Sequence, residues 1–181
     1  VNVSELGCDF FAFSGHKTYG PMGTGALWGR RELLEQTEPI VFGGEMIARV
    51  EDLKSTWAEP PYRFEAGTPN VAGAVGLAAA IAWVRDLPAG AHAYVAGLAR
   101  ETAARLAELP GVRVWGPAAG RVSLVGFSVA GVHAHDVAQV LDGRGVAVRA
   151  GHMCAQPLLR RLGVESAVRA SYAPYNVPAR V

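Results

Sequence analysis

"FSGHKTYGPMGTG" (residues 13–25) joins two apolar runs and carries the first chemical signal of the chain. Upstream, "DFFAFSG" (residues 9–15) is a short apolar run closed by glycine, the pattern of a β-strand. Downstream, "GTGALWGR" (residues 23–30) reads as a second strand. Lys17 stands between them, beside Ser14 and His16 and ahead of Gly20, Gly23 and Gly25. One reading is a solvated lysine at a strand end. The other is an amine in a ligand site. The glycines would let a ligand approach the backbone closely, and Ser14 and His16 offer donors that suit a phosphate. An enclosed lysine loses its proton more easily than one in water and attacks a carbonyl to form a Schiff base. The stretch matches neither the G-x-x-x-x-G-K-[ST] loop nor the G-x-G-x-x-G turn of nucleotide sites.

Outward from this stretch, the composition sets bounds. The chain has 181 residues, half of them hydrophobic, which is one domain or a domain plus part of another. A net charge of +1, without long blocks of one sign, gives no field for nucleic acid or an anionic membrane. Two cysteines, Cys8 and Cys154, make no disulfide framework and fit a reducing cytoplasm. The apolar run at residues 71–84 is too short to cross a bilayer and reads as a buried helix. "VNVSELGCDFF" has no signal-peptide pattern. Val1 is not methionine, and the chain begins close to a strand, so a fragment lacking its first half is expected.

Further along, "RRELLEQ" predicts one or two helical turns, and residues 37–63 an ordered excursion, since long loops in compact proteins are more often functional than idle. "GTPNVAGAVGLAAAIAWVRDL" predicts a helix capped by Thr68, with Pro69 at its first position and small residues all round. Pro88 and Gly90 break it, which places a boundary there: residues 1–87, then a small α/β domain over residues 88–181. An amphipathic helix follows, with Val95, Leu98, Thr102, Leu106 and Leu109 on one face and Glu101–Arg105 as an i,i+4 pair. Strands are predicted at residues 112–116, 121–129, 146–151 and 167–176, with a helix over residues 135–145 and a short one after residue 154. Strands and helices alternate, so the class is α/β.

The second chemical signal is Cys154, in "VRAGHMCAQP". A buried structural cysteine is the plain alternative. The surroundings look loop-like, however, and His152, Arg149 and a helix start all favour the thiolate, which makes a nucleophile. Cys8, beside Asp9, reads as structural. Arg149 and Arg169 interrupt apolar strands with no carboxylate nearby in sequence. Each calls for an anion, either a ligand carboxylate or phosphate or a distant acidic side chain. The H-x-H of "VHAHD" is read as a helix entry with Asp136 in its first turn, not as a metal site.

"DFFAFSGHKTYGPMGTGALWG", "RFEAGTPN", "HAHDVAQVLDGRGVAVRAGHMCAQP" and "VRASYAPYN", in this order, resemble the group II (SufS-like) cysteine desulfurases among the class V aminotransferase-fold enzymes. The resemblance covers nearly the whole chain. It implies a type I fold of the enzymes that use pyridoxal 5′-phosphate (PLP). Residues 1–87 would be the end of the large PLP-binding domain with a bridging helix, and residues 88–181 most of the small C-terminal domain. It implies that Lys17 holds PLP covalently and that Ser14 and His16 reach its phosphate. Thr68 would reach the phosphate of the neighbouring subunit in a homodimer. Arg149 and Arg169 would bind the carboxylate of L-cysteine. Cys154, with His152 beside it, would take the sulfur as a persulfide and pass it to a protein acceptor for iron–sulfur cluster assembly, leaving L-alanine. The family usually has two histidines before this cysteine. Here the second is Met153. The family chain is also about twice as long, so the active site held here would be partial. The competing readings are a selenocysteine lyase or another class V enzyme, and a non-catalytic module for dimerisation or acceptor binding.

Overall fold

The computed structural model describes residues 1–177. The chain divides into two compact units, Val1–Leu87 and Pro88–Val181.

The first unit is built on a hairpin formed by the two strands predicted on either side of Lys17. Strand β1 (Phe10–Ser14) pairs antiparallel with β2 (Gly25–Gly29), from Phe10 opposite Gly29 to Ser14 opposite Gly25. A one-turn helix, α1 (Val3–Leu6), precedes the hairpin, and α2 (Arg31–Gln36) follows it. The excursion contains structure that its weak pattern concealed: a second hairpin of β3 (Ile47–Val50) and β4 (Ser55–Trp57), with a bulge between Ile47 and Arg49. Strands this short offer too few alternating positions to be read against the glycines and prolines around them.

Helix α3 (Val71–Arg85) is capped by Asn70, not Thr68: the Asn70 Oδ1 accepts a hydrogen bond from the Gly73 amide at 2.9 Å. Thr68 and Pro69 lie in the preceding turn, where the Pro69 carbonyl accepts from the Val71 amide. The helix is not buried all round. Gly73, Leu77 and Ala80 form its buried face, while Val71, Val75, Ile81 and Trp83 are exposed. That face sits on the turn between β1 and β2. A Cβ on Gly76 would lie 2.7 Å from Pro21, and one on Gly73 would run into Thr24. The small residues of α3 are therefore the fit between helix and turn.

The second unit is a four-stranded antiparallel sheet in the order β5 (Val112–Trp115), β6 (Leu124–Val129), β8 (Ala167–Ser171), β7 (Arg149–Gly151). Side-chain alternation splits it into two faces. Val112, Val114, Phe127, Val129, Ala150 and Val168 point to one face. There they pack with Leu106 of α4 (Ala91–Ala107) and with Val137 and Leu141 of α5 (Ala134–Asp142). Val168 is fully buried. Trp115 and Ala167 point the other way and pack against Leu159 of α6 (Gln156–Leu162).

The amphipathic reading of α4 holds for Val95 and Leu98, which are buried, and for Glu101–Arg105, paired at 3.7 Å. Thr102 hydrogen-bonds the Leu98 carbonyl and, at 2.6 Å, the Tyr172 hydroxyl. Leu109 departs from that face. It is 52 % exposed, because the helix ends at Ala107, ahead of Pro110.

Candidate functional site

In the first unit the site is a turn. As β1 ends at Ser14, the chain enters a 3-10 turn, Gly15–Lys17. The Gly15 carbonyl accepts from both the Thr18 and Gly20 amides, and the Gly15 amide donates to the Thr24 carbonyl at 2.8 Å. The chain thus presents a half-buried hydroxyl (Ser14), an exposed imidazole (His16) and an exposed amine (Lys17) in close succession.

The glycines do something other than admit a ligand. A Cβ at Gly15 would collide with the Thr24 hydroxyl, one at Gly20 would lie 3.0 Å from the Gly15 carbonyl oxygen, and one at Gly25 would lie 2.5 Å from the Phe13 oxygen. They let the turn fold back on itself. Gly23 is needed for its left-handed backbone, φ 73°. Within this unit Lys17 is exposed, not enclosed. Thr68 is also exposed, in the turn ahead of α3.

In the second unit the open sheet face carries the site. Register places Trp115 opposite Gly126, Gly126 opposite Arg169 and Arg169 opposite Arg149, so all four share one face. Gly126 contributes no side chain, which leaves a gap between the indole and the guanidinium. A cleft of about 390 Å³ opens there, lined by Trp115, Gly126 and Arg169 together with Arg121, His152 and Met153.

Among the described residues, the buried N–H groups Trp115 Nε1, Arg121 Nε and Arg169 Nε of this lining have no hydrogen-bond partner. Buried donors are ordinarily paired. The other Arg121 nitrogens donate to the carbonyls of Trp115 and Gly116, both at 3.1 Å, so that guanidinium braces the end of β5. Arg113 stacks on the Trp115 ring with its guanidinium carbon 4.0 Å from the centroid. Arg169 is half-buried, but Arg149 is exposed, because it opens the edge strand β7. Among the described residues neither forms an ion pair.

Cys154 lies on the connection from β7 to α6, at the tip of a turn closed by the Ala155 amide donating to the His152 carbonyl at 2.8 Å. It is a free thiol and exposed. Cys8, also free, is half-buried. His152 is exposed beside Cys154. Met153 and Cys154 both have left-handed backbones, with φ of 50° and 59°. Nothing in the sequence announces this, since residues with a Cβ seldom adopt that conformation. The Trp115–Arg121 corner also escaped sequence reasoning. Its only hint is the glycine-rich run at residues 116–120.

His133 caps α5, its Nδ1 accepting from the His135 amide at 3.3 Å, and Asp136 lies in the first turn. Among the described residues no helix is long and apolar enough to cross a membrane.

With this geometry in place, comparison with known proteins is decisive. The profile of the class-V aminotransferases matches residues 1–181. The chain belongs to the class-V aminotransferase family. Within it, a probable cysteine desulfurase of Halalkalibacterium halodurans is 52 % identical over 177 residues, covering 97 % of this chain and 43 % of the relative. One of Mycolicibacterium paratuberculosis is 50 % identical, covering 97 % and 26 %. The crystal structure of the cysteine desulfurase CsdA of Escherichia coli superposes with a TM-score of 0.93 at 45 % identity, covering 98 % of this chain and 44 % of that one. The apo cysteine desulfurase of Thermococcus onnurineus gives 0.94 at 42 %, covering 99 % and 46 %. This class-V chain thus spans less than half the length of those relatives, and its mixed α/β fold is theirs over that span.

Proposed function

We propose that this chain is part of a PLP-dependent cysteine desulfurase of the SufS-like group, converting L-cysteine to L-alanine with a persulfide on Cys154. The observation that carries the reading is the setting of Cys154: an exposed thiol on a left-handed turn, next to a sheet face bearing two arginines that form no ion pair among the described residues. A structural cysteine would be buried, and an aminotransferase needs no nucleophile there. The identity to proteins described as cysteine desulfurases supports it.

The donor set on the Lys17 turn fits PLP: an amine for its aldehyde, and a hydroxyl and an imidazole for its phosphate. When bound, PLP supplies an electron sink next to the substrate Cα. The remaining chemistry falls to side chains. Lys17 holds the cofactor and afterwards moves a proton at the substrate Cα. Ser14 and His16 bind phosphate. Arg169, whose Nε lacks a partner, and Arg149 bind the substrate carboxylate through charge-assisted hydrogen bonds. The Cys154 thiolate attacks the substrate sulfur. A sulfur–sulfur bond forms, the carbon–sulfur bond breaks, and protons from solvent and Lys17 complete alanine. His152 adjoins the thiol as its proton acceptor.

On this reading residues 1–87 belong to the PLP-binding domain and residues 88–181 to the small domain. The protein is a cytoplasmic homodimer in which Thr68 reaches the partner's phosphate, and the sulfur passes to a protein acceptor. The test is reduction of the PLP-loaded protein with borohydride followed by peptide mapping. The reading expects the cofactor on Lys17. Label on another lysine refutes the assignment.

A further inference from the structure

We propose that Met153 is a positioning residue that holds the Cys154 thiol in place by anchoring its turn to the core. The His152–Ala155 turn carries positive φ at both central residues, Met153 and Cys154. That is the backbone of a type I′ turn, where glycine, asparagine and aspartate dominate because a Cβ is crowded by the adjacent carbonyl. A Met–Cys pair has no intrinsic reason to adopt it, so the surrounding structure must impose it.

The flanks are fixed. Before the turn, Gly151 pairs with Ala167 across β7 and β8. After it, the Leu159 amide donates to the Ala155 carbonyl at 3.1 Å as α6 begins. Between these, Met153 is half-buried and packs against the cluster of Trp115, Leu159 and Ala167. Its neighbours His152 and Cys154 are exposed. An unbranched thioether suits such a place, because it conforms to an irregular gap. The anchor points inward and the thiol outward from successive residues of one turn, so burying the first fixes the second.

The consequence for sulfur transfer rests on the function proposed above. The anchoring does not. The test compares Met153→Ala, Met153→Gly and Met153→Leu in the protein as isolated with its cofactor. Amide hydrogen exchange is read at Ala155, whose N–H closes the turn, and at Val125 in the fully buried centre of the sheet. Met153→Ala is expected to speed exchange at Ala155 about tenfold or more while leaving Val125 unchanged. Met153→Leu, which refills the gap, should stay within about threefold of the parent. Met153→Gly, which removes backbone crowding and anchor together, should behave like Met153→Ala.

Unchanged exchange at Ala155 in Met153→Ala overturns the proposal. So does parental protection in Met153→Gly, which would mean that the backbone holds itself. Equal acceleration at Val125 also overturns it, since Met153 would then be core filler. In the same variants kcat for persulfide formation from L-cysteine should fall with Met153→Ala and recover with Met153→Leu. If the exchange pattern holds while the complete enzyme of which this chain is part forms no persulfide, the anchor stands and the desulfurase reading fails.

Discussion

Replacing Gly15 by alanine tests whether the Lys17 turn is built by close packing. Gly15 is buried and its φ is not in the left-handed region, so alanine meets no backbone penalty there. The cost is steric. The new Cβ collides with the Thr24 hydroxyl and lies 3.2 Å from both the Thr24 carbonyl oxygen and a Leu77 methyl. Thr24 Oγ1 donates to the Pro21 carbonyl at 2.7 Å and can escape only by giving up that bond. Overpacking of this kind costs about 1–3 kcal/mol, and the lost hydrogen bond adds about 1 kcal/mol. Gly15→Ala should therefore destabilise by about 2–4 kcal/mol.

Thr24→Ala alone should cost about 1 kcal/mol through the same hydrogen bond. With the hydroxyl gone the collision is relieved and only the two 3.2 Å contacts remain, so the double variant should be more stable than the sum of the singles by about 1 kcal/mol or more. Urea unfolding midpoints of the four proteins measure this. Additivity within about 0.5 kcal/mol would refute the argument, because contacting residues must couple.

Three other substitutions probe separate links. Asn70→Ala removes the cap of α3 and should cost about 1 kcal/mol in urea unfolding, whereas Asn70→Asp should cost little. Tyr172→Phe deletes the 2.6 Å hydrogen bond to Thr102 that ties β8's exit to α4, and should cost about 1 kcal/mol by the same measurement. Arg169→Lys keeps the charge but loses the planar fork, so KM for L-cysteine should rise about tenfold or more with the cofactor still bound; an unchanged KM would remove Arg169 from the substrate site.

Much of this architecture was legible in the residues. Apolar runs closed by glycine marked β1 and β2, and Lys17 follows directly on the first of them. Periodicity found α4, whose buried Val95 and Leu98 lie on the apolar face read from the residues. What escaped depends on tertiary geometry. Thr68 reads as the cap of α3, yet it is the Asn70 side chain that accepts from the Gly73 amide, a choice between neighbouring polar residues that composition does not make. The glycines after Lys17 announced close approach, but not that the partner is the chain's own backbone. Arg149 and Arg169 look alike in sequence. Position in the sheet separates them, one on an edge strand and the other on an inner one. The left-handed Met153–Cys154 pair contradicts local propensity, so it is set by tertiary contacts that the sequence does not display.

The most direct trial of the proposed function is to load the complete enzyme of which this chain is part with PLP, supply L-cysteine and locate the added sulfur atom by peptide mass spectrometry. The account predicts one extra sulfur on Cys154, formed together with alanine and abolished by Cys154→Ser. Alanine production with the sulfur on Cys8, or undiminished in the Cys154→Ser protein, would contradict it.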